Sequence, residues 1–167
     1  MKIVTGYRGE PHITSNDDQA RNQGIFGSGN YVLKVGGQLE LSQSGNVITI
    51  ADGDGMLQGV HFRILPGQTE SVTIDTAGSG HIRQDYICAR YTKDSTTGIE
   101  DVSLVVLKGT PVAYPGSDPT IPPDYYTGDV LAGDSPVDFP LYDAIMEENT
   151  LDGYHQTMFE VLSPLSE

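Results

Sequence analysis

Four histidines, a single cysteine and a scatter of carboxylates are the side chains of this 167-residue chain able to move a proton, hold a metal or attack a carbonyl. His12, close to Asp17 and Asp18, has the composition of an acid–base cluster. Proton transfer requires such groups to converge within hydrogen-bond reach in a cleft, and a polar, glycine-bearing arm gives no such convergence. His61 and His81 stand beside polar residues in strand-like runs, and His155 lies further on. The four are scattered singly, without metal-ligand spacing. Cys88 has no partner for an intrachain disulfide and, set among apolar neighbours, reads as a small core residue. No nucleophile has a neighbouring base, so the residues themselves point away from an enzyme, and no cofactor or metal is expected.

Asp52-Gly53-Asp54-Gly55 echoes an oxygen-rich calcium loop, but the twelfth position counted from Asp52 is Arg63, where such a loop needs Glu. Asp-Gly pairs have a direct explanation as turns through positive φ, and this stretch is expected to be a hairpin turn. Tyr114, Tyr125 and Tyr126 form a third group, within a proline-rich segment. Tyrosines of this kind fasten a segment to its own sheet, cover a neighbouring subunit, or stack on sugar rings, because they bring area at low entropy cost.

These candidates must be positioned by a mostly β scaffold. Gly and Pro make up 30 of the 167 residues, which suits short strands and many turns. One ordinary domain fits this length, burying roughly 70% of its unfolded surface. Tyr31, Leu33 and Val35 alternate, as do Leu39 and Leu41, and Val47 to Ala51 continue the pattern. Val60, Phe62 and Ile64 alternate with His61 and Arg63, and Val72 with Ile74 marks a further strand. Seven strands at short, regular spacing predict an all-β, antiparallel sandwich.

The strongest signal runs from His81 to Pro111, two β runs joined by a turn. Ile87, Ala89 and Tyr91 share one face of the first run, and Tyr86 and Cys88 the other. In the second run Val102, Leu104 and Val106 share a face, with Val105 and Leu107 opposite. Both arms are apolar on both sides and need a cover on each face. Part of that cover is expected from another copy of the chain or from a partner.

Residues 1–29 form a polar arm with one or two helical turns at 16–23, where Ser15 serves as N-cap, Asp18 completes a capping box and Gly24 follows the last turn. With only Ala20 apolar, that turn must be pinned by its surroundings. Residues 30–111 carry the sandwich core. Residues 112–167 close the same domain, with eight of the ten prolines from Pro111 onward making an extended strap. Phe139 to Met146 returns as a last strand. Leu151, Tyr154, His155, Met158, Phe159 and Leu162 then fall at helical spacing, predicting a short amphipathic helix over 151–162.

The net charge of −14 disfavours nucleic acid and anionic lipid as partners. It is uneven: after Lys108 there is no Lys or Arg, while eleven Asp and Glu follow. No basic-then-apolar leader opens the sequence and no long apolar run is present, so synthesis in a bacterial cytoplasm without membrane insertion is expected.

The phrases VTGYRGEPHITSNDDQARNQGIFGSGNYVL, DGMLQGVHFRI, HIRQDYICARYTK, GIEDVSLVVLKGTP and GDVLAGDSPVDFPLY, spanning about Ile3 to Tyr142, resemble small structural proteins of tailed bacteriophages and prophages of Gram-positive bacteria. Within that group the resemblance is to the N-terminal shoulder and collar modules of tail or baseplate receptor-binding proteins. It implies a non-enzymatic virion tail component, commonly a homotrimer, whose arm attaches to other tail or baseplate proteins. A distal part, where present, contacts the host envelope, which keeps recognition of a cell-wall saccharide as the alternative. The chain has neither the long heptad neck nor the head domain of full receptor-binding proteins, which favours a connector role.

Overall fold

The computed structural model describes residues 2–5, 9, 11–116 and 121–163. Among these the chain is mostly β, its sheets mainly antiparallel and curled into half a barrel, with one helix. The helix α1 (Ser15–Phe26) is followed by β1 (Asn30–Leu33), β2 (Leu41–Ser44), β3 (Val47–Ile50), β4 (Gly53–Leu57), β5 (Val60–Ile64) and β6 (Glu70–Thr73). The long hairpin is β7 (His81–Lys93) and β8 (Glu100–Lys108). After the short β9 (Val112–Ala113) come β10 (Val137–Glu147), β11 (Thr150–Leu151) and β12 (Glu160–Leu162). Three sheets result, ordered β12-β1-β4-β5, β11-β10-β7-β8 with β9 also on β7, and β2-β3-β6.

One apolar cluster joins all three. Val32 and Leu57 come from the first sheet, Ile87, Ala89, Tyr91, Phe139 and Leu141 from the second, and Ile48 and Ile50 from the third. Phe62 meets Phe139 edge-on at 6.3 Å between ring centres, a geometry that places a positive ring edge on a negative ring face. Gly55 makes room for this: a Cβ there would lie 2.2 Å from Phe62 Cζ. The stretch expected to be a turn at 52–55 is therefore mostly strand. Its Asp-Gly spacing serves close approach, and the hairpin reverses instead at Gln58 (φ 46°) and Gly59 (φ 89°), the positive pair that a tight two-residue turn needs.

The inner face of the hairpin reads as expected, with Ile87, Ala89 and Tyr91 buried in the core and Val102, Leu104 and Val106 packed against it. On the outer face the chain's own strap supplies cover. After the undescribed residues 117–120, the strap passes Ile121, whose carbonyl accepts the Thr110 N–H at 3.3 Å. Tyr125 then packs on Tyr86 (6.3 Å) and Tyr126 lies over the Arg90 guanidinium (4.8 Å). Cys88, between Tyr86 and Arg90 on the same face, is fully buried. The strap thus covers the Tyr86–Arg90 part of this face, while Val105 and Leu107 on β8 are only partly buried.

Two helix expectations need correction. The helix is longer than 16–23 and its cap is Thr14, one residue earlier than expected: the Asp17 carboxylate accepts the Thr14 N–H at 2.8 Å, while the Thr14 hydroxyl accepts from the Asp17 N–H. Residues 151–162 are not helical. Their backbone dresses the edge of β10, through Asp152 N–H to Ile145 O, Asp143 N–H to Gln156 O and Met158 N–H to Leu141 O, and then β12 pairs in parallel with β1. The apolar residues find partners without a helix, Leu151 in the core and Phe159 edge-on to Tyr142 at 5.4 Å. No helix of the described residues is long and apolar enough to cross a membrane.

Candidate functional site

The helix is positioned without an apolar face of its own; only Gln19 is buried on it. Amide side chains hold it to the β4–β5 turn: Asn22 donates to the Gly59 carbonyl and Gln23 to the Gln58 carbonyl, both at 2.8 Å. Gln58 in turn donates to Gly128 O (2.7 Å) and accepts the Val130 N–H (3.0 Å), tying helix, turn and strap end together. Gly59 is required by contact as well as by φ, since a Cβ would lie 2.3 Å from the Gln19 carbonyl oxygen. This is the pinning that the apolar-poor helix demanded.

Between α1, β5 and the start of β8 opens a cleft of about 540 Å³. Glu100 lies at its wall, accepting from the Tyr91 hydroxyl at 2.7 Å and from Gln19 at 3.3 Å, with Lys93 Nζ at 3.4 Å. Burial pushes the Glu100 carboxyl up, but hydrogen bonds from Ser15, Tyr91 and Gln19 and the Lys93 charge outweigh it and hold the carboxyl below its usual range. Burial and Glu100 together push the Tyr91 hydroxyl up. Glu100 thus buttresses the helix on β8.

The histidines are not brought together. Near His12, Asp17 is engaged by Lys2 (2.5 Å) and by Thr14, and Asp18 pairs with Arg21 at 3.2 Å. His61 Nε2 lies 3.4 Å from buried Asp54, whose other oxygen has Arg63 Nε at 3.1 Å, close enough for charge attraction but outside hydrogen-bond alignment. His81 Nδ1 meets the Ser79 carbonyl at 2.9 Å. His155 bridges the Asp143 carbonyl (3.0 Å) and Gln43 Oε1 (2.8 Å). Among the described residues no three His, Cys, Asp or Glu side chains are placed to hold a metal ion. Asp52 links two turns, accepting the Gly37 and Gly67 N–H groups at 3.2 and 3.3 Å.

The three tyrosines do not converge on one spot. Tyr114 donates to Glu147 at 3.2 Å, and the Glu147 charge pushes its hydroxyl up. Tyr125 and Tyr126 are neighbours on the strap, 44% and 52% exposed. Burial pushes the Cys88 thiol to about 12, helped by the Asp138 charge, so it is no nucleophile at neutral pH.

Sequence reasoning missed the feature that most distinguishes this surface. The sheet β11-β10-β7-β8 has two edges treated differently. The β10 edge is dressed by residues 150–158 and, at Asp138 N–H, by the Tyr126 carbonyl. The β8 edge receives no backbone hydrogen bond among the described residues. Its nine residues pair with β7 in unbroken register, and the central Val102 to Leu107 carry no charge and no proline. Short length, inward charge, proline or a bulge usually protect such an edge, and the middle of β8 has none of them. No family model and no curated protein matches this chain.

Proposed function

We propose that the chain is a non-enzymatic assembly protein of a tailed-phage tail or baseplate, a β-sandwich of the shoulder or collar kind that works as a homo-oligomer in the virion. The resemblance of its phrases to such proteins supports the family and favours a trimer. The observation that carries the joining role is the nine-residue β8 edge, which receives no backbone hydrogen bond among the described residues on a sheet whose other edge is dressed by the same chain. Gold-labelled antibody on phage particles induced from the source bacterium tests this directly. Label at the tail tip is expected, and label absent from tails would overturn the reading.

A second reading rests on Tyr125 and Tyr126, whose adjacent, half-exposed rings offer flat apolar area to a sugar of the host envelope. Binding to purified cell-wall polysaccharide that is lost in Tyr125→Ala and Tyr126→Ala would establish it. Lack of binding across such polysaccharides would remove it.

A further inference from the structure

We infer that His155 is a pH-sensitive clasp: with both ring nitrogens protonated it fastens residues 152–158 to β10 and β2, and with one proton gone the clasp loosens. This device is independent of the assembly reading above.

Both ring nitrogens face oxygen atoms. Nδ1 lies 3.0 Å from the main-chain carbonyl of Asp143 on β10, and Nε2 lies 2.8 Å from the side-chain oxygen of Gln43 on β2. A carbonyl oxygen only accepts hydrogen bonds. The Gln43 amide is not free to turn its nitrogen toward the ring, because that nitrogen donates to the carbonyls of Gly45 at 2.9 Å and Leu151 at 3.1 Å. A flipped amide would set oxygen against both of those carbonyls. Neutral histidine carries one N–H, so either tautomer leaves a nitrogen lone pair aimed at an oxygen lone pair. Only the imidazolium donates on both sides, and it alone satisfies the whole arrangement.

The ring fastens a segment that has little else to hold it. Asp152 N–H bonds to Ile145 O at 2.8 Å, Asp143 N–H to Gln156 O at 3.2 Å and Met158 N–H to Leu141 O at 2.9 Å. Within residues 152–157, His155 is the one side chain that is not exposed, and Tyr154 is 73% exposed. A segment with few buried contacts opens at low cost, so one hydrogen bond gained or lost at the ring shifts its docking measurably.

The charges around the ring do not oppose a cation there. On β10 the Asp143 carboxylate accepts the Gln156 N–H at 2.6 Å and the Gln84 amide of β7 at 3.1 Å, and Tyr86 of β7 stands opposite Asp143 in register. On the ring's own segment Asp152 accepts the Tyr154 N–H at 3.2 Å. β2 carries no charged residue. Because the fastened segment takes the doubly protonated ring and the loosened one does not require it, fastening strengthens as pH falls from about 8 to about 5 and weakens as pH rises.

Amide exchange of the full-length chain, followed by NMR at about pH 5.5 and about pH 8 and expressed as protection relative to the unfolded chain, reads this. Protection of the Asp152 and Met158 amides is expected to be about tenfold greater at the lower pH, the worth of one charge-assisted hydrogen bond, while the core Ile87 amide stays unchanged. His155→Gln should abolish the difference. Nitrogen-15 NMR of the wild-type ring is a second readout that needs no variant, and both nitrogens should carry protons where protection is high. Equal protection at both pH values, a difference that survives in His155→Gln, or a ring with one bare nitrogen at the lower pH overturns the inference.

Discussion

Arg90 on β7 and Asp138 on β10 face each other as a two-pronged ion pair, Nε to Oδ1 at 2.7 Å and the second guanidinium nitrogen to Oδ2 at 2.9 Å. The same carboxylate accepts the Tyr126 N–H at 2.9 Å, and the Tyr126 ring lies over Arg90. Two residues thus join two strands and the strap. Asp138→Ala should cost about 2 kcal/mol, because it leaves a partly buried guanidinium and the Tyr126 N–H without their shared partner. Urea unfolding measures this, and a loss well under 1 kcal/mol would show that the strap is held elsewhere.

Cys88 reports on the same strap. Fully buried, with its thiol pushed up to about 12 by burial, it should resist thiol reagents in the native protein at pH 8. Tyr126→Gly, which removes the ring over Arg90, should speed labelling severalfold while the far-ultraviolet circular dichroism stays unchanged. Labelling of the wild-type protein as fast as that of the unfolded chain would contradict the covered outer face.

The long hairpin was legible because alternation over thirteen- and nine-residue strands leaves few other readings. Other local signals were overridden by tertiary contacts. Leu151, Tyr154, His155, Met158, Phe159 and Leu162 have helical spacing, yet β10 and β1 both have edges that take this backbone, and Asp152-Gly153 interrupts the stripe. Gly53 and Gly55 looked like turn residues, but one admits the backbone of Leu39 and the other the ring of Phe62. Thr14 and Ser15 are both good caps, and only the reach of Asp17 back to Thr14 decides between them. Of the three tyrosines, Tyr125 and Tyr126 lie together on the strap, while Tyr114 follows β9 and bonds to Glu147 instead. The open β8 edge was invisible because sequence shows which residues face a core and not which strands lack a neighbour.

The start of α1 should be acid-sensitive. The Lys2 ammonium, then the Thr14 hydroxyl and N–H, hold the Asp17 carboxyl at about 2, below its ordinary 3.8. A depressed folded value contributes stability that is complete above 3.8 and disappears as pH falls toward about 2. Residue-resolved NMR should show the Thr14 amide losing its protection in that window. Asp17→Asn should remove the dependence, and a Thr14 amide insensitive to acid would refute the capping account.

Docking of the helix depends on Gly59. Gly59→Ala places a methyl 2.3 Å from the Gln19 carbonyl at a φ of 89°, so both strain and contact oppose it. A cost of about 1–3 kcal/mol is expected. Amide exchange should rise across α1 more than in β7. Uniform acceleration over the whole chain would show that the helix is not a separately releasable piece.

Amide exchange in β8 tests the joining edge most directly. The N–H groups of Val102, Leu104 and Val106, which no group of the same chain accepts among the described residues, should be protected at high protein concentration and lose protection on dilution. Fast exchange of these three amides at every concentration, with the particle remaining at 18.0 kDa, would contradict the account.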